Sequence, residues 1–531
     1  MGTLWTGGKA YTLSQENEIV EAVYVENGII IALGTQVSLM NQFKDKITKT
    51  VDINGNTMYP GFVDSHMHII GHGEKLMRLD FSEMNLSEQI SDAITRYVLS
   101  VKEKDWIIGD GWNENRLPDK KIFLREELDK LAPRNPLLLT RVCRHASIAN
   151  TLALELAGIT DATPDPPGGV IVRDMNGKAT GYLLDEAQEL VKRAIPPVTE
   201  DYLKNALKKS IHDCLRLGLV GAHTEDLFYY TGFESTYKCF QEVIDGQDIK
   251  FRANLLVHHK VIDDMQQAGY TYKNGTEFIE LGAMKIFVDG ALGGRTALLS
   301  HPYHDDPTTH GVAIHTLYEL KQLVKKARDY RMPIAVHAIG DLAFEYVLEA
   351  IEAFPCMPGQ RDRLIHAQIL RKDLIERAKK LPVILDIQPR FVVSDFPWVV
   401  ERIGERNMKY CYAWNTLITE GFHCAGGSDA PIEPVNPLLG IHAAVTRKNP
   451  DDPYSAVYRP EEKLSVYEAV KLFTTGSAFA IGKEYNRGKI AVGYKADFTI
   501  LDGDLFTISE DEILQVKVMK TVVDDTIMYE Q

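Results

Sequence analysis

The first 57 residues alternate short apolar and β-branched runs with turns: Lys9 to Leu13, Ile19 to Val25, an Asn27-Gly28 turn, Ile29 to Leu33, Thr48 to Ile53, and a second Asn-Gly pair at Asn54-Gly55. Period-two alternation bounded by Asn-Gly predicts strands joined by tight turns. The segment from about Arg487 onward has the same texture, in Gly493 to Asp502 and Val516 to Tyr529. Neither end holds enough strands to close a core, so residues 1–57 and 481–531 are expected to pair into one small β-sandwich.

Between the ends, residues 58–480 alternate short apolar strands with amphipathic helical stretches, the pattern of a parallel α/β fold. The predicted strands are Gly61 to His66, Leu219 to His223, Phe251 to His258, Ala283 to Asp289, Pro333 to His337, Leu364 to His366, Val383 to Gln388 and Phe422 to Ser428. Eight strands in this order predict a (β/α)8 TIM-type barrel. The chain between the first two is far longer than one crossover requires. This insert, about residues 74–185, carries Gly109-Asp-Gly-Trp-Asn-Glu-Asn-Arg116, Arg141-Val-Cys-Arg-His-Ala146 and the Pro/Gly-rich Thr163 to Gly169. As a βα connection it is expected to leave the barrel on the active-site side, as a lid or substrate-binding subdomain.

A length of 531 residues is too great for one simple core, which agrees with a barrel carrying attachments. The net charge of -15 argues against nucleic acid as a partner, because phosphate binding needs a basic surface. No apolar run approaches the ~20 residues of a membrane span, and the N-terminal residues lack the basic and apolar regions of a signal peptide. A cytoplasmic protein without membrane partners is expected. The six cysteines include no Cys-x-x-Cys, which suggests neither a disulfide framework nor a thiolate zinc site.

Candidate chemistry collects at the strand ends. His66 and His68 are two residues apart at the end of the first strand, so both imidazoles can face one point, and a first-row metal suits such a pair. With 16 histidines such a spacing also arises by chance, and context decides. The later strands end in His223, His258, His337, His366, Gln388 and Asp429, with Lys285 inside the fourth. A barrel concentrates its chemistry at the C-terminal ends of its strands, and several such residues at one rim are hard to explain by packing. His223 and His258 read by default as core or supporting residues.

The ordered set of His66-Met67-His68, Lys285 within Met284 to Gly290, His337, His366 and Asp429 within Gly426 to Pro431 resembles the amidohydrolase superfamily of metal-dependent hydrolases, across nearly the whole chain. More narrowly, the chain is similar to the YtcJ-like branch that contains N-substituted formamide deformylase. That similarity rests on Gly109 to Trp112, His145 with Asn150 and Ala157 to Ile159, Gly169 to Asp174 with Thr180 to Leu183, and Lys285 to Ala297. Where relatives usually show Asp-Gly before the insert histidine, this chain has Cys143-Arg144, which leaves the role of His145 and the substrate open.

The resemblance implies a hydrolase of a non-peptide, amide-like C–N bond, of the N-formyl or N-acyl amine kind, working through a metal-activated hydroxide. His66, His68 and Asp429 would hold one divalent ion and His337 and His366 a second, with Lys285, N6-carboxylated by CO2, as the bridge. Otherwise Lys285 is a cation beside a mononuclear site. Zn2+ is the expected metal, and Mn2+, Fe2+ or Co2+ suit the same ligands. Asp429 is expected to shuttle the proton. His145 either donates to the oxyanion or is an ordinary insert histidine near Trp112 or Arg141.

Candidate substrate-binding residues are Trp112, His145, Asp289 and Arg295. For Asp289 and Arg295 an ion pair shaping the loop after strand four is the favoured reading, and for Trp112 and Trp398 a core or interface position competes with a pocket wall. The expected partner is a small amide-like molecule, with a homodimer as the commonest assembly. Two other functions compete: a deaminase or cyclic-amide hydrolase on the same scaffold, and a catalytically silent binding protein, which the complete ligand set argues against.

Overall fold

A computed structural model describes every residue except 1, 83, 115, 142–144 and 453, so Cys143-Arg144 lies outside the described residues. The chain divides into two compact units, one of Met1–His72 with Leu203–Gln531, the other of Gly73–Tyr202. The second unit thus continues past Asp185, where the insert was expected to end, to Tyr202.

In the first unit, eight parallel strands lie side by side in chain order: Phe62–Met67, Leu219–Thr224, Arg252–His258, Ile279–Phe287, Ile334–Ala338, Asp362–His366, Val383–Ile387 and Cys424–Gly426. Most of their residues are buried on both faces, which is why they read as near-continuous apolar runs. The eighth strand is shorter than the expected Phe422 to Ser428. Gly427 donates to Ile387 O at 3.0 Å, and the chain then turns toward the first strand. A Cβ on Gly427 would stand 2.6 Å from His66 N, so only glycine allows this approach. Hydrogen bonds from Asp429 N to His66 O and from His68 N to Ala430 O, both 2.7 Å, bring the two edge strands together.

Both ends of the chain form two further sheets. One runs in the order Ile29–Gly34, Ala22–Glu26, Gly2–Thr6, Ile47–Asp52. The other runs Thr526–Glu530, Val518–Val523, Phe498–Leu501, Thr57–Pro60, Lys9–Tyr11, Ile19–Val20. The halves meet where Phe498–Leu501 pairs antiparallel with Thr57–Pro60. One core joins Trp5, Val23, Val25 and Ile30 to Phe498, Ile500 and Val522.

The second unit is built on one six-stranded sheet, in the order Gly169–Arg173, Ala179–Asp185, Ala146–Ala149, Leu137–Arg141, Ile107–Trp112, Leu79–Asp80. Asn150 caps its helix Thr151–Leu156 and ties the sheet to it, because Oδ1 accepts from Ala153 N at 3.0 Å and Leu137 N at 2.9 Å. Among the described residues no helix is long and apolar enough to cross a membrane, and the five described cysteines form no disulfide.

Candidate metal centre

The first strand delivers His66 and His68 to one point, as period-two geometry requires. Asp429 Oδ1 stands 3.4 Å from His66 Nε2 and 3.5 Å from His68 Nε2. One ligand atom from each of the three residues falls within 4.8 Å of the others. Asp64, buried one turn of the pleat earlier, fixes the spacing. Its carboxylate accepts from His66 N at 2.9 Å and from Ser428 N at 3.0 Å, so one side chain holds both the strand and the loop that carries Asp429.

Two of the imidazoles are oriented by their other nitrogen. His68 Nδ1 lies 2.8 Å from Glu225 O, and His366 Nδ1 lies 2.7 Å from Gln388 Oε1, which leaves both Nε2 atoms free to ligate. The ring centroids of His337 and His366 are 4.4 Å apart, and those of His66 and His366 are 5.8 Å apart. Lys285 is fully buried, with Nζ 3.2 Å from His66 Nε2.

Burial pushes His66 and His337 well below the usual imidazole range, with Lys285 adding to the shift, and it takes His366 down to about 4. These rings are neutral at physiological pH and present lone pairs. Burial opposes the charge on His68 too, but Asp429, Glu225 and Asp226 outweigh it and raise this ring to about 9. Burial also lowers Lys285 to about 8, against the pull of Glu225 and Asp429. Asp429 is driven up by burial, yet the His68 hydrogen bond and the neighbouring cations hold it below the ordinary carboxylate range.

Glu225 is the residue that strand-end reading missed. The second strand ends at Thr224, and counting two residues on from His223 along the same face reaches Glu225. It is fully buried, and neither carboxylate oxygen completes a hydrogen bond of ordinary geometry. One oxygen lies 3.8 Å from His68 Nδ1. Burial raises Glu225 against the pull of His68 and Lys285, and a buried carboxylate beside imidazole nitrogens and a second carboxylate suits a cation in the same space. The donor set of imidazole nitrogens and carboxylate oxygens therefore fits a divalent first-row ion.

The remaining candidates fall elsewhere. Asp289 makes no ion pair with Arg295. Its buried carboxylate accepts from Leu298 N at 2.9 Å, Ile339 N at 3.0 Å and Gly340 N at 2.8 Å, with Oδ1 3.5 Å from His337 Nε2. Arg295 instead pairs with Asp305 at 2.9 Å, so the loop does contain an ion pair, but with a partner ten residues on. Trp112 is sealed in the second unit's core, edge-on to Tyr182, and a ring with no exposed surface cannot wall a substrate pocket. His145 belongs to the surface of that unit, 80% exposed, with Nδ1 3.1 Å from Asp185 Oδ1 rather than against Trp112 or Arg141. His223 is a buried barrel residue, and His258 stacks on Phe228 and His259. Trp398 lies partly exposed, donating Nε1 to Ser394 O at 2.9 Å.

Comparison with known proteins agrees with this layout. A model of the amidohydrolase family matches residues 49–529. The chain is 50% identical to YtcJ of Bacillus subtilis (strain 168) over 531 residues, covering 100% of both. It is 27% identical to the N-substituted formamide deformylase of Arthrobacter pascens over 544 aligned positions, covering 98% of this chain and 97% of that one. Among solved structures, a metal-dependent hydrolase from Pyrococcus horikoshii OT3 superposes with a TM-score of 0.79 at 28% identity, covering 96% of this chain and 99% of the other.

Proposed function

This chain belongs to the amidohydrolase family, and from that membership we propose that it is a metal-dependent hydrolase of a non-peptide C–N bond whose substrate is an N-formyl or N-acyl amine. The observation that carries the reading is the convergence of His66, His68 and Asp429 at the rim that also bears Lys285, His337 and His366. The likeness to an N-substituted formamide deformylase over nearly the full length supports the narrower substrate class.

His66, His68 and Asp429 would hold one ion, and His337 and His366 a second. Bound there, a divalent metal supplies Lewis acidity, polarising a carbonyl and bringing the pKa of water toward neutrality. Asp429 presents Oδ1 to both imidazoles, which leaves Oδ2 to take the proton of the attacking water and return it to the departing amine nitrogen. Lys285 is a buried amine within reach of His66. Addition of the neutral amine nitrogen to CO2 with loss of one proton would give an N6-carboxylate; from the ammonium form two protons leave in all, and a cation is replaced by an anion that could serve as a metal ligand.

The test is a hydrolysis screen of N-formyl and N-acyl amines with zinc-reconstituted protein, with His66→Ala as control. Equal release of carboxylate and amine, abolished in the variant, is expected. Ammonia released from amino-substituted heterocycles, with open-chain amides untouched, would replace this reading by a deaminase. One ion per chain beside an unmodified Lys285 would end the bridged, two-metal form.

A further inference from the structure

The N-terminal end of the barrel, opposite the strand ends that carry the metal centre, holds a cavity of about 210 Å³. Its wall combines the beginnings of the first four barrel strands with the segment Thr474 to Asp497. That volume is below the ~300–1,000 Å³ of drug-sized ligand pockets and suits a small metabolite.

The charges on this wall do not cancel. Each of its three carboxylates already has a cation: Asp497 is held by Arg252 at 2.5 and 2.8 Å, Glu277 by Lys495 at 2.5 Å, and Glu280 by Lys483 at 2.6 Å. Arg487 and Lys489 line the same cavity, and neither has a carboxylate partner among the described residues. Burial and the adjacent Arg252 guanidinium push Arg487 down to about 10.

Four of the lining residues each carry a buried polar atom without a hydrogen-bond partner. Arg487 Nε, Arg252 Nη1, His223 Nδ1 and Asn254 Oδ1 are all closed off from solvent and lack a partner. Arg252 and Asn254 are each 4% exposed and His223 1%. A buried guanidinium N–H without an acceptor is costly even where, as in Arg252, the other nitrogens are paired, and two guanidiniums lining one cavity are a common means of holding an oxyanion. Asn254 Oδ1 adds an acceptor for a hydroxyl or protonated oxygen on the same molecule.

We propose that this cavity is a binding site for a small oxyanion, a carboxylate or a phosphate, clasped between Arg252 of the barrel and Arg487 of the C-terminal segment. Such a ligand would join the barrel to the β-sandwich and stabilise the native chain by mass action.

The experiment is thermal unfolding and calorimetric titration of the full-length, metal-loaded chain with succinate and with inorganic phosphate, against sodium chloride at matched ionic strength. One of the two should raise the midpoint saturably, and which one does identifies the ligand as a carboxylate or a phosphate. Arg487→Gln should weaken binding at least tenfold while its ligand-free midpoint is unchanged or higher, and Arg487→Lys should keep part of the affinity. Should Arg487→Gln fail to fold, Lys489→Gln is expected to weaken binding in its place. Binding must survive in His66→Ala, which separates this site from the metal centre and the proposal from the assigned activity. A shift no larger than that of chloride, or one lost in His66→Ala but kept in the Arg487 and Lys489 variants, would overturn the proposal in favour of buried water or of the catalytic end.

Discussion

Replacing Asp289 by Ala distinguishes a carboxylate that organises a loop from one that binds substrate. The side chain accepts three buried backbone N–H groups, from Leu298, Ile339 and Gly340. Gly340 is the N-cap of helix Asp341–Ala353, so two of these donors belong to a helix start whose N–H groups have no partner within the helix. Hydrogen bonds to a charged group contribute about 1.5–3 kcal/mol each, or roughly 4.5–9 for three. Against this stands the cost of burying the carboxylate, which burial pushes up to about 7 even with three N–H donors pulling the other way. Water entering the vacated space recovers part of the loss, so a net destabilisation of about 3–5 kcal/mol is expected, the range reserved for broken buried networks.

Because the chain has two units, the readout should be local. Hydrogen exchange at the Leu298, Ile339 and Gly340 amides should accelerate by about 10²–10⁴. His337 lies two residues from Ile339 on the same strand end, so kcat should fall with it. A raised KM with unchanged exchange at these amides would mean that Asp289 contacts substrate, and the loop argument would be wrong.

Glu225→Gln removes a carboxylate that, with Asp429, supports the charge on His68, so metal affinity should drop about 10–100-fold; metal titration measures it, and an unchanged affinity would count against Glu225 orienting His68. Burial would raise Asp497, but Arg252 holds it below the usual 3.8. Its depressed folded value means that the stability it contributes is present above about pH 4 and lost as pH falls through the lower folded value. Asp497→Asn, which leaves Arg252 buried without its anion, should therefore cost about 3–5 kcal/mol at pH 7 and progressively less below pH ~4, as urea midpoints across that range would show; a deficit that does not change with pH would contradict the pairing. In the second unit, Trp112→Ala should cost about 3–5 kcal/mol, read by limited proteolysis, whereas exposed His145→Ala should stay within about 0.5 kcal/mol with kcat intact. A tenfold loss of kcat in His145→Ala would restore its oxyanion role.

The barrel was legible because a parallel sheet buried on both faces leaves apolar runs that composition alone reveals, and because its chemistry sits where those runs stop. The eighth strand was overread for the converse reason. Phe422 to Ser428 is apolar and small, but the close approach of Gly427 to His66 is a tertiary fact with no local trace. Asp289 and Arg295 were matched because they flank one turn, whereas partners are chosen in space: Arg295 found Asp305 and Asp289 found backbone donors. For Trp112 the core position holds over the pocket wall, because Ile107–Trp112 is an inner strand of its sheet with the ring buried. Glu225 escaped because the strand-end rule stopped at a histidine, and histidine is conspicuous while a carboxylate in a Glu-Asp pair reads as solvated surface.

The rim also shows what holding the ligands costs. His366 has φ 77° and Asp429 has φ 57°, so two residues of the centre adopt a left-handed backbone that a side chain disfavours by about 1–2 kcal/mol. Neither is glycine, since each must contribute a side chain. The strain is opposed by bonds outside the ligand set: Gln388 on His366 Nδ1, His66 O on Asp429 N, and Asp64 on Ser428 N. Asp64 is no ligand, yet it sets the distance between the His-x-His strand and Asp429. The precision of the centre therefore belongs to the ends of strands one and eight as a unit, and a substitution at Asp64 should disturb metal binding without touching a single coordinating atom.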